Sequence, residues 1–136
     1  MADFSTDVSA WCDKAGGRAT LVLRTICWDV LNRIKELTPV DTGFLRSNWT
    51  AIIEGEAEPI AGRVPDPAKA LMTVKVGQIV VILNPTVYAR RIEYGFVGED
   101  IAGRQFNQMG VHMVAQTLTE LPAIAAAAVA RVSGAS

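Results

Sequence analysis

Apolar residues recur every three or four positions through the first quarter of the chain. They are Phe4, Val8, Trp11, Ala15, Ala19, Val22, Ile26, Val30 and Ile34. This spacing is typical of one face of an amphipathic helix and predicts a helix from about Asp3 to Glu36. Because Pro39 disfavours the α conformation at Thr38, the helix has to end near Leu37. Gly16-Gly17 interrupts the pattern and predicts a kink or a close backbone contact.

The segment that follows, TPVDTGFLRSNW at 38–49, combines turn residues with apolar ones. Asp41 and Thr42 can form hydrogen bonds with local backbone amides, and Gly43 can adopt a positive φ that other residues resist. These residues predict a turn over 38–43. The alternation that follows predicts a strand over 45–54, which Trp49 anchors in the core.

The middle of the chain is irregular in composition. Residues 54–67 contain three prolines, two glycines and four acidic residues, which predicts a mobile surface loop. Asp66 and Pro67 suit the N-cap and first position of a short helix that ends near Thr73. The β-branched run at 78–83 predicts a buried strand.

A second compact pattern, NPTVYARRIEYG, occupies residues 84–95. Pro85 suits the first turn of a short helix, in which Tyr88 and Ile92 share one face. Gly95 suits the position directly after that helix. Glu93 could form a weak, exposed ion pair with an arginine one turn earlier.

Residues 96–108 are polar and contain glycine, so they predict a second loop. Helical spacing restarts at Met109, and the alanine-rich stretch 122–132 continues it beyond a kink at Pro122. The alanines at 125–128 allow a close helix approach, either to the first helix or to another subunit.

Composition limits the possible functions. The 136-residue chain has 13 basic and 14 acidic side chains and a formal charge of -1, which disfavours independent binding to DNA. Its length predicts one domain, 1–136. Along one helix Cys12 and Cys27 would lie about 22 Å apart, so we expect reduced thiols. No apolar run reaches about 18 residues, so no membrane association is expected.

Residues that could carry catalysis are sparse. His112 is the only histidine, and we interpret it as a packing or capping residue. No cysteine pair, HExxH spacing, nucleophile with a base, or phosphate-binding glycine motif accompanies it. We therefore expect no enzyme activity, no metal and no cofactor. Arg90, Arg91 and Arg104 could contact phosphate or an acidic neighbour, or simply be solvated.

The segments at 38–49 and 84–95, in this order after a long helix, resemble the neck or tail-completion proteins of long-tailed bacteriophages. That family includes proteins of the phage lambda minor tail protein Z type. The matching positions are Thr38, Pro39, Val40, Asp41, Thr42, Gly43, Leu45, Arg46, Asn48 and Trp49, followed by Asn84, Tyr88, Ala89, Glu93, Tyr94 and Gly95. The resemblance extends over roughly residues 3–132, and it is strongest in the two segments.

The resemblance implies an α+β fold, with a small, mainly antiparallel β-sheet packed against long N-terminal and C-terminal helices. It implies a structural virion protein that forms a ring, expected to have six copies, at the head–tail junction. Such a ring completes the tail, joins it to a head-connector or head-closure protein and to the tail terminator or tail tube, and lets genomic DNA pass without sequence-specific contact. The virion would be assembled in the host cytoplasm.

On this hypothesis the two segments are architectural, because they fix the direction of the chain. The residues assigned to that role are Pro39, Asp41, Thr42, Gly43, Leu45, Trp49, Tyr88, Glu93, Tyr94 and Gly95. The contacts between subunits would come from the loops at 54–67 and 96–108 and from Arg90, Arg91 and Arg104. The alternatives are another connector or tail-terminator ring subunit, a small DNA-binding accessory protein, or a hydrolase.

Overall fold

Long helices form the first and last elements of the fold in the computed structural model, which describes residues 2–40, 43–99 and 105–134, with side chains for 16–40, 43–95 and 109–134. The helices are α1 (Ala2–Leu37), α2 (Phe44–Ser47), α3 (Pro67–Leu71), α4 (Ala89–Tyr94) and α5 (Met113–Gly134). The strands are β1 (Thr50–Ile53), β2 (Val80–Leu83), β3 (Gly95–Glu99) and β4 (Gln105–Met109). The predicted α+β class is confirmed.

The four strands pair antiparallel in two separate ribbons. In the first, Thr50 of β1 lies opposite Leu83 of β2. In the second, Gly95 of β3 lies opposite Met109 of β4. Because a two-stranded ribbon is only marginally stable alone, each depends on the helices beside it. Helix α3 packs on β1, and α4 leads directly into β3.

The long first helix confirms its prediction, since α1 ends at Leu37, just before Thr38-Pro39. Of the kink or close backbone contact predicted at Gly16-Gly17, the contact is not found. The helix continues through both residues, and no described atom outside its own backbone lies within 4 Å of a methyl group built on either glycine. The favourable bonds of the surrounding turns therefore outweigh the weak helix propensity of glycine.

The core lies where α1 meets the segment that follows it. Its buried members are Cys27, Leu31, Ile34, Leu45, Trp49, Ala51, Leu71 and Met113. Cys27 is a free thiol, as predicted, and burial raises its pKa. The side chain of Cys12 lies outside the described residues. Of the predicted apolar face only Ile34 is buried among the described side chains, whereas Val22, Ile26 and Val30 are half-buried and Ala19 is exposed. The face of α1 that packs is centred on Cys27, Leu31 and Ile34 instead.

The strand predicted over 45–54 is wrong in its first half, where residues 44–47 form helix α2. Gly43 has a φ of 75°, and its carbonyl accepts a 2.9 Å bond from the Ser47 amide. The Asn48 side chain then donates a 2.6 Å bond to the Phe44 carbonyl. These local bonds stabilise one helical turn in a segment whose apolar alternation favours a strand.

The loop predicted over 96–108 is also wrong, because β3 and β4 form a hairpin there and residues 100–104 lie outside the described part. Neither strand shows clear apolar alternation, which is the signal that sequence analysis requires. Met109 belongs to β4 rather than to the last helix, and α5 begins at Met113. Its helical assignment continues through Pro122.

The elements predicted for the middle of the chain agree more closely with the structure. Residues 54–66 contain no helix, and their only β pairing is an isolated bridge between Ile60 and Arg63. Helix α3 begins at Pro67, and the Asp66 carboxylate accepts from the Ala68 amide at 3.0 Å, as predicted for an N-cap. Strand β2 is confirmed, but its side chains are half-buried rather than buried.

Helix α5 packs along α1. Ala128 is fully buried, which agrees with a close approach to the first helix. Two ion pairs flank this contact, Arg33 with Glu120 and Arg131 with Asp29. By length and composition alone α5 could cross a membrane, with a mean hydropathy of 1.4 over an 18-residue window, although no uninterrupted apolar run of that length exists.

Candidate functional site at the junction of the two motifs

Thr38, at the end of α1, is the point where three parts of the chain meet. Its hydroxyl donates to the Ile34 carbonyl at 2.7 Å and accepts from Trp49 Nε1 at 2.8 Å. The Met113 sulfur, at the start of α5, lies 3.2 Å from the same oxygen. Both Thr38 and Trp49 are buried. The hydroxyl therefore fixes the end of α1 relative to the following turn and to the last helix.

Arg46 of α2 completes the end of α1. Its Nε donates to the Lys35 carbonyl at 2.9 Å, and Nη2 donates to the Thr38 carbonyl at 3.3 Å. The last carbonyls of a helix lack partners within the helix, and a cation there is favoured by the helix dipole. The motif thus folds back onto the helix that it terminates. Asp41 and Thr42 lie outside the described residues.

The second motif is joined to the first by Asn84. Its side-chain nitrogen donates to the Leu45 carbonyl at 2.7 Å, and its oxygen accepts from the amide and hydroxyl of Thr86 at 3.1 and 2.7 Å. The rings of Phe44 and Tyr88 also face each other with centroids 6.4 Å apart. Segments separated by about forty residues in sequence are therefore one structural unit.

Glu93 of α4 holds the start of α5. Its two carboxylate oxygens accept from the Val114 and Ala115 amides at 2.9 and 3.1 Å, and the residue is buried. A carboxylate at a helix N-terminus satisfies free amides and interacts favourably with the helix dipole. The prediction of an exposed ion pair with a nearby arginine is therefore wrong, because the carboxylate points into the protein towards α5.

The connection from β4 to α5 passes tightly against α4. The Val111 amide donates to the Ile92 carbonyl at 2.8 Å, and the His112 amide donates to the Glu93 carbonyl at 3.1 Å. A Cβ on Gly110 would lie 2.5 Å from that carbonyl oxygen, so only glycine fits. His112 is exposed with a φ of 56°, and its carbonyl accepts from Gln116, so it begins α5 without packing in the core.

The other residues predicted in the two motifs divide between interior and surface. Leu45 is buried, whereas Pro39 is exposed and Tyr94 is 70% exposed. Pro85 precedes α4 rather than forming its first turn, and Gly95 follows α4 with a φ of 85°.

Two of the three arginines assigned to subunit contacts lie together on the protein surface. Arg90 and Arg91 are exposed on α4, and Arg104 lies outside the described residues. The sequence did not single out Gly110 or the Asn84–Leu45 bond. A glycine between two apolar segments carries no local sign that a distant backbone approaches it.

The polar side chains of this junction are occupied by hydrogen bonds within the protein. The Glu93 oxygens are both engaged by amides, and every buried polar side-chain atom in the described part of the chain has a partner. Within the same part, no group of three or more His, Cys, Asp or Glu side chains could hold a metal ion. The junction holds α1, α4 and α5 in a fixed mutual orientation through hydrogen bonds.

Comparison with known families identifies one family for this chain. Residues 4–95 match the HK97-gp10-like family, described as "Bacteriophage HK97-gp10, putative tail-component". The match includes nearly all of α1, both motifs and α4, which is about two thirds of the chain. No match was found among curated proteins or solved structures. The chain belongs to the HK97-gp10-like family of bacteriophage tail components.

Proposed function

We propose that this tail component is a structural protein that forms a ring at the head–tail junction of a long-tailed phage. The ring completes the tail and joins it to the head-connector or head-closure protein on one side and to the tail terminator or tail tube on the other. Genomic DNA passes through its opening. The protein performs no catalysis, and its copy number is six.

The observation that carries this proposal is the match of residues 4–95 to a phage tail-component family. The match covers both motifs, which form a single hydrogen-bonded junction through Asn84 and Leu45. A subunit that closes a ring has to present its contact surfaces at a fixed angle. A rigid junction between the long helices meets that requirement.

The surface of α4 is where we place one contact with a neighbouring protein. Arg90 and Arg91 are exposed there, next to Val87, which is 94% exposed. Exposed arginine beside apolar surface is common at protein interfaces. Arg104, on the connection between β3 and β4, is assigned to the same role by sequence.

The proposal is tested by electron microscopy of particles produced without this protein. We expect filled heads and complete tail tubes that remain separate, and joining should be restored when the protein is supplied. Heads already joined to tails in its absence would contradict the proposed role.

A second experiment tests the α4 surface. The double variant Arg90→Glu and Arg91→Glu should keep the circular dichroism spectrum of the wild type and fail to restore joining. The matched control is Lys69→Glu, an exposed charge reversal on α3. Normal joining by the double variant would show that this surface of α4 is not part of the interface.

A further inference from the structure

A groove of about 1350 Å³ lies between α1, the turn before β2 and the end of α5. Its lining includes Arg18, Leu21, Arg24, Lys75, Val76 and Arg131. Two of its apolar members are exposed, Leu21 at 52% and Val76 at 59%. The groove therefore combines uncovered apolar surface with four basic side chains.

The basic charge of this groove is only partly compensated within the subunit. Arg131 pairs with Asp29, and Arg24 Nε donates to the Val74 carbonyl at 2.9 Å. Within the described part of the chain, no carboxylate lies within 4 Å of Arg18 or Lys75. Arg18 and Lys75 therefore leave basic charge in the groove that no carboxylate among the described residues neutralises.

A segment with the complementary character is the acidic loop, residues 54–60. Glu54, Glu56 and Glu58 are exposed, and Ile60 is 69% exposed. Among the described residues, no lysine or arginine lies within 4 Å of these three carboxylates. The Glu56 carboxylate accepts from the Ile53 amide at 2.9 Å, which shapes the turn. The acidic loop thus presents acidic charge beside an uncovered apolar side chain.

The acidic loop starts near the turn that lines the groove of the same subunit, since the Glu54 amide donates to the Ile79 carbonyl at 2.8 Å, but its apolar end at Ile60 leads away from the groove. After Glu54 the chain turns back along β1, so that the Gly62 amide donates to Asn48 at 2.6 Å. Gly62 lies against Phe44, beside the C-terminal end of α1. Leu21, in the groove, is about 25 Å from that end at 1.5 Å per residue.

We infer that the groove receives the acidic loop of a second copy of this chain. The inference rests on the proposed ring, because a ring is built from head-to-tail contacts between two different patches on each subunit. The acidic loop and the groove are two such patches with opposite charge, and each has an exposed apolar side chain. Complementary charge gives such a contact its orientation and its rate of formation.

Other occupants fit less well. The groove is larger than the roughly 300–1,000 Å³ of small-molecule pockets, so a chain segment fills it better. DNA would engage the four cations through its phosphates, but it would leave Leu21 and Val76 without an apolar partner. The acidic loop supplies both kinds of contact, because Ile60 follows the glutamates.

The test uses two double variants of the full chain. The groove variant is Arg18→Gln with Lys75→Gln, and the loop variant is Glu54→Gln with Glu58→Gln. The matched control, Arg63→Gln with Lys69→Gln, removes the same charges from exposed positions outside the groove. Self-association is measured by sedimentation equilibrium up to millimolar protein at low salt, with circular dichroism to verify folding.

We expect each of the first two variants to weaken self-association by about tenfold or more, and the control to associate like the wild type. An equimolar mixture of groove and loop variants should form a one-to-one complex and nothing larger. In that mixture the intact loop of one variant meets the intact groove of the other, and the opposite pairing lacks charge on both sides.

Three results would overturn the inference: a wild type that stays monomeric, variants that associate normally, or a mixture that forms no complex. If the groove variant instead loses salt-dependent affinity for random duplex DNA while its self-association is unchanged, the groove binds nucleic acid. The proposed function is tested separately, by electron microscopy of particles that lack the protein. If heads and tails remain unjoined in those particles, any of the results above would contradict only this contact and not the proposed function.

Discussion

The motif junction and the α1–α5 pair hold the same helices together by different means. At the junction, directed hydrogen bonds connect Thr38 with Trp49, Asn84 with Leu45, and Glu93 with the first turn of α5. Along the helix pair, small apolar contacts such as Ala128 are flanked by ion pairs with exposed members. Hydrogen bonds specify one geometry, whereas small apolar residues tolerate sliding and rotation.

This difference indicates which part of the fold fixes the orientation of the helices. The junction determines the angle between α1, α4 and the start of α5, and its polar groups are buried, so losing one partner leaves another unsatisfied. The helix pair mainly supplies buried area. Substitutions at the junction should therefore cost more than similar substitutions along the pair.

The largest effect is expected for Trp49→Ala. The indole is buried in the core and donates to Thr38, so its removal should lower the free energy of unfolding by about 3–5 kcal/mol. Urea denaturation measures the loss. Trp28→Ala, a half-buried tryptophan on α1, is the matched control and should cost less. Equal losses at the two sites would show that the junction is no more sensitive to substitution than the rest of α1.

The next effect is expected for Glu93→Ala. The Val114 and Ala115 amides lose a charged acceptor, which should cost about 2 kcal/mol. Hydrogen exchange at these two amides should become faster than exchange in the middle of α5. Glu93→Gln, which retains one side-chain oxygen acceptor, should give a smaller loss. Unchanged exchange in Glu93→Ala would show that the cap does not hold the start of α5.

A pair of buried threonines compares the two regions directly. Thr38→Val removes the acceptor of the Trp49 indole and should cost about 1–2 kcal/mol. Thr117→Val, on α5, removes only a bond to the Met113 carbonyl of the same helix and should cost less. Thermal unfolding of the two variants measures the difference. A larger loss at Thr117 would reverse the ranking of the regions.

The smallest effect is expected for Glu120→Gln. Hydrogen bonds from Arg33 to Glu120 and to Glu36 raise the pKa of Arg33, but the pair is partly exposed to solvent and screened by salt. We expect a small decrease in the melting temperature at low salt that disappears at high salt. A salt-independent loss as large as that of Thr38→Val would show that the ion pair, too, fixes the geometry.

Sequence patterns predicted the parts of this fold whose causes are local. The extent of α1 followed from apolar spacing and Pro39, the Asp66 cap from its neighbour Pro67, and the positive φ of Gly43 from glycine itself. Helix α2 was missed because a one-turn helix has no periodicity to detect. The β3–β4 hairpin was missed because its strands lack alternation.

The candidate site was predictable as residues but not as geometry. Both motifs were recognised, yet nothing in them indicates that Asn84 donates to Leu45 or that Glu93 reaches the last helix. These bonds join residues that are 39 and 21 positions apart, respectively. These bonds form only because of how α1 and the ribbons pack, and that packing cannot be predicted from the residues of one local segment.

Gly110 lies in the connection between β4 and α5, where the backbone of α4 leaves no space for a side chain. With the Glu93 carbonyl oxygen 2.5 Å from where a methyl group would stand, even alanine would have to push the entry of α5 away from α4. In a saturation library scored for phage production, this position should therefore accept only the native residue. Its neighbour His112, exposed to solvent, should tolerate asparagine and glycine, which readily adopt the same left-handed backbone.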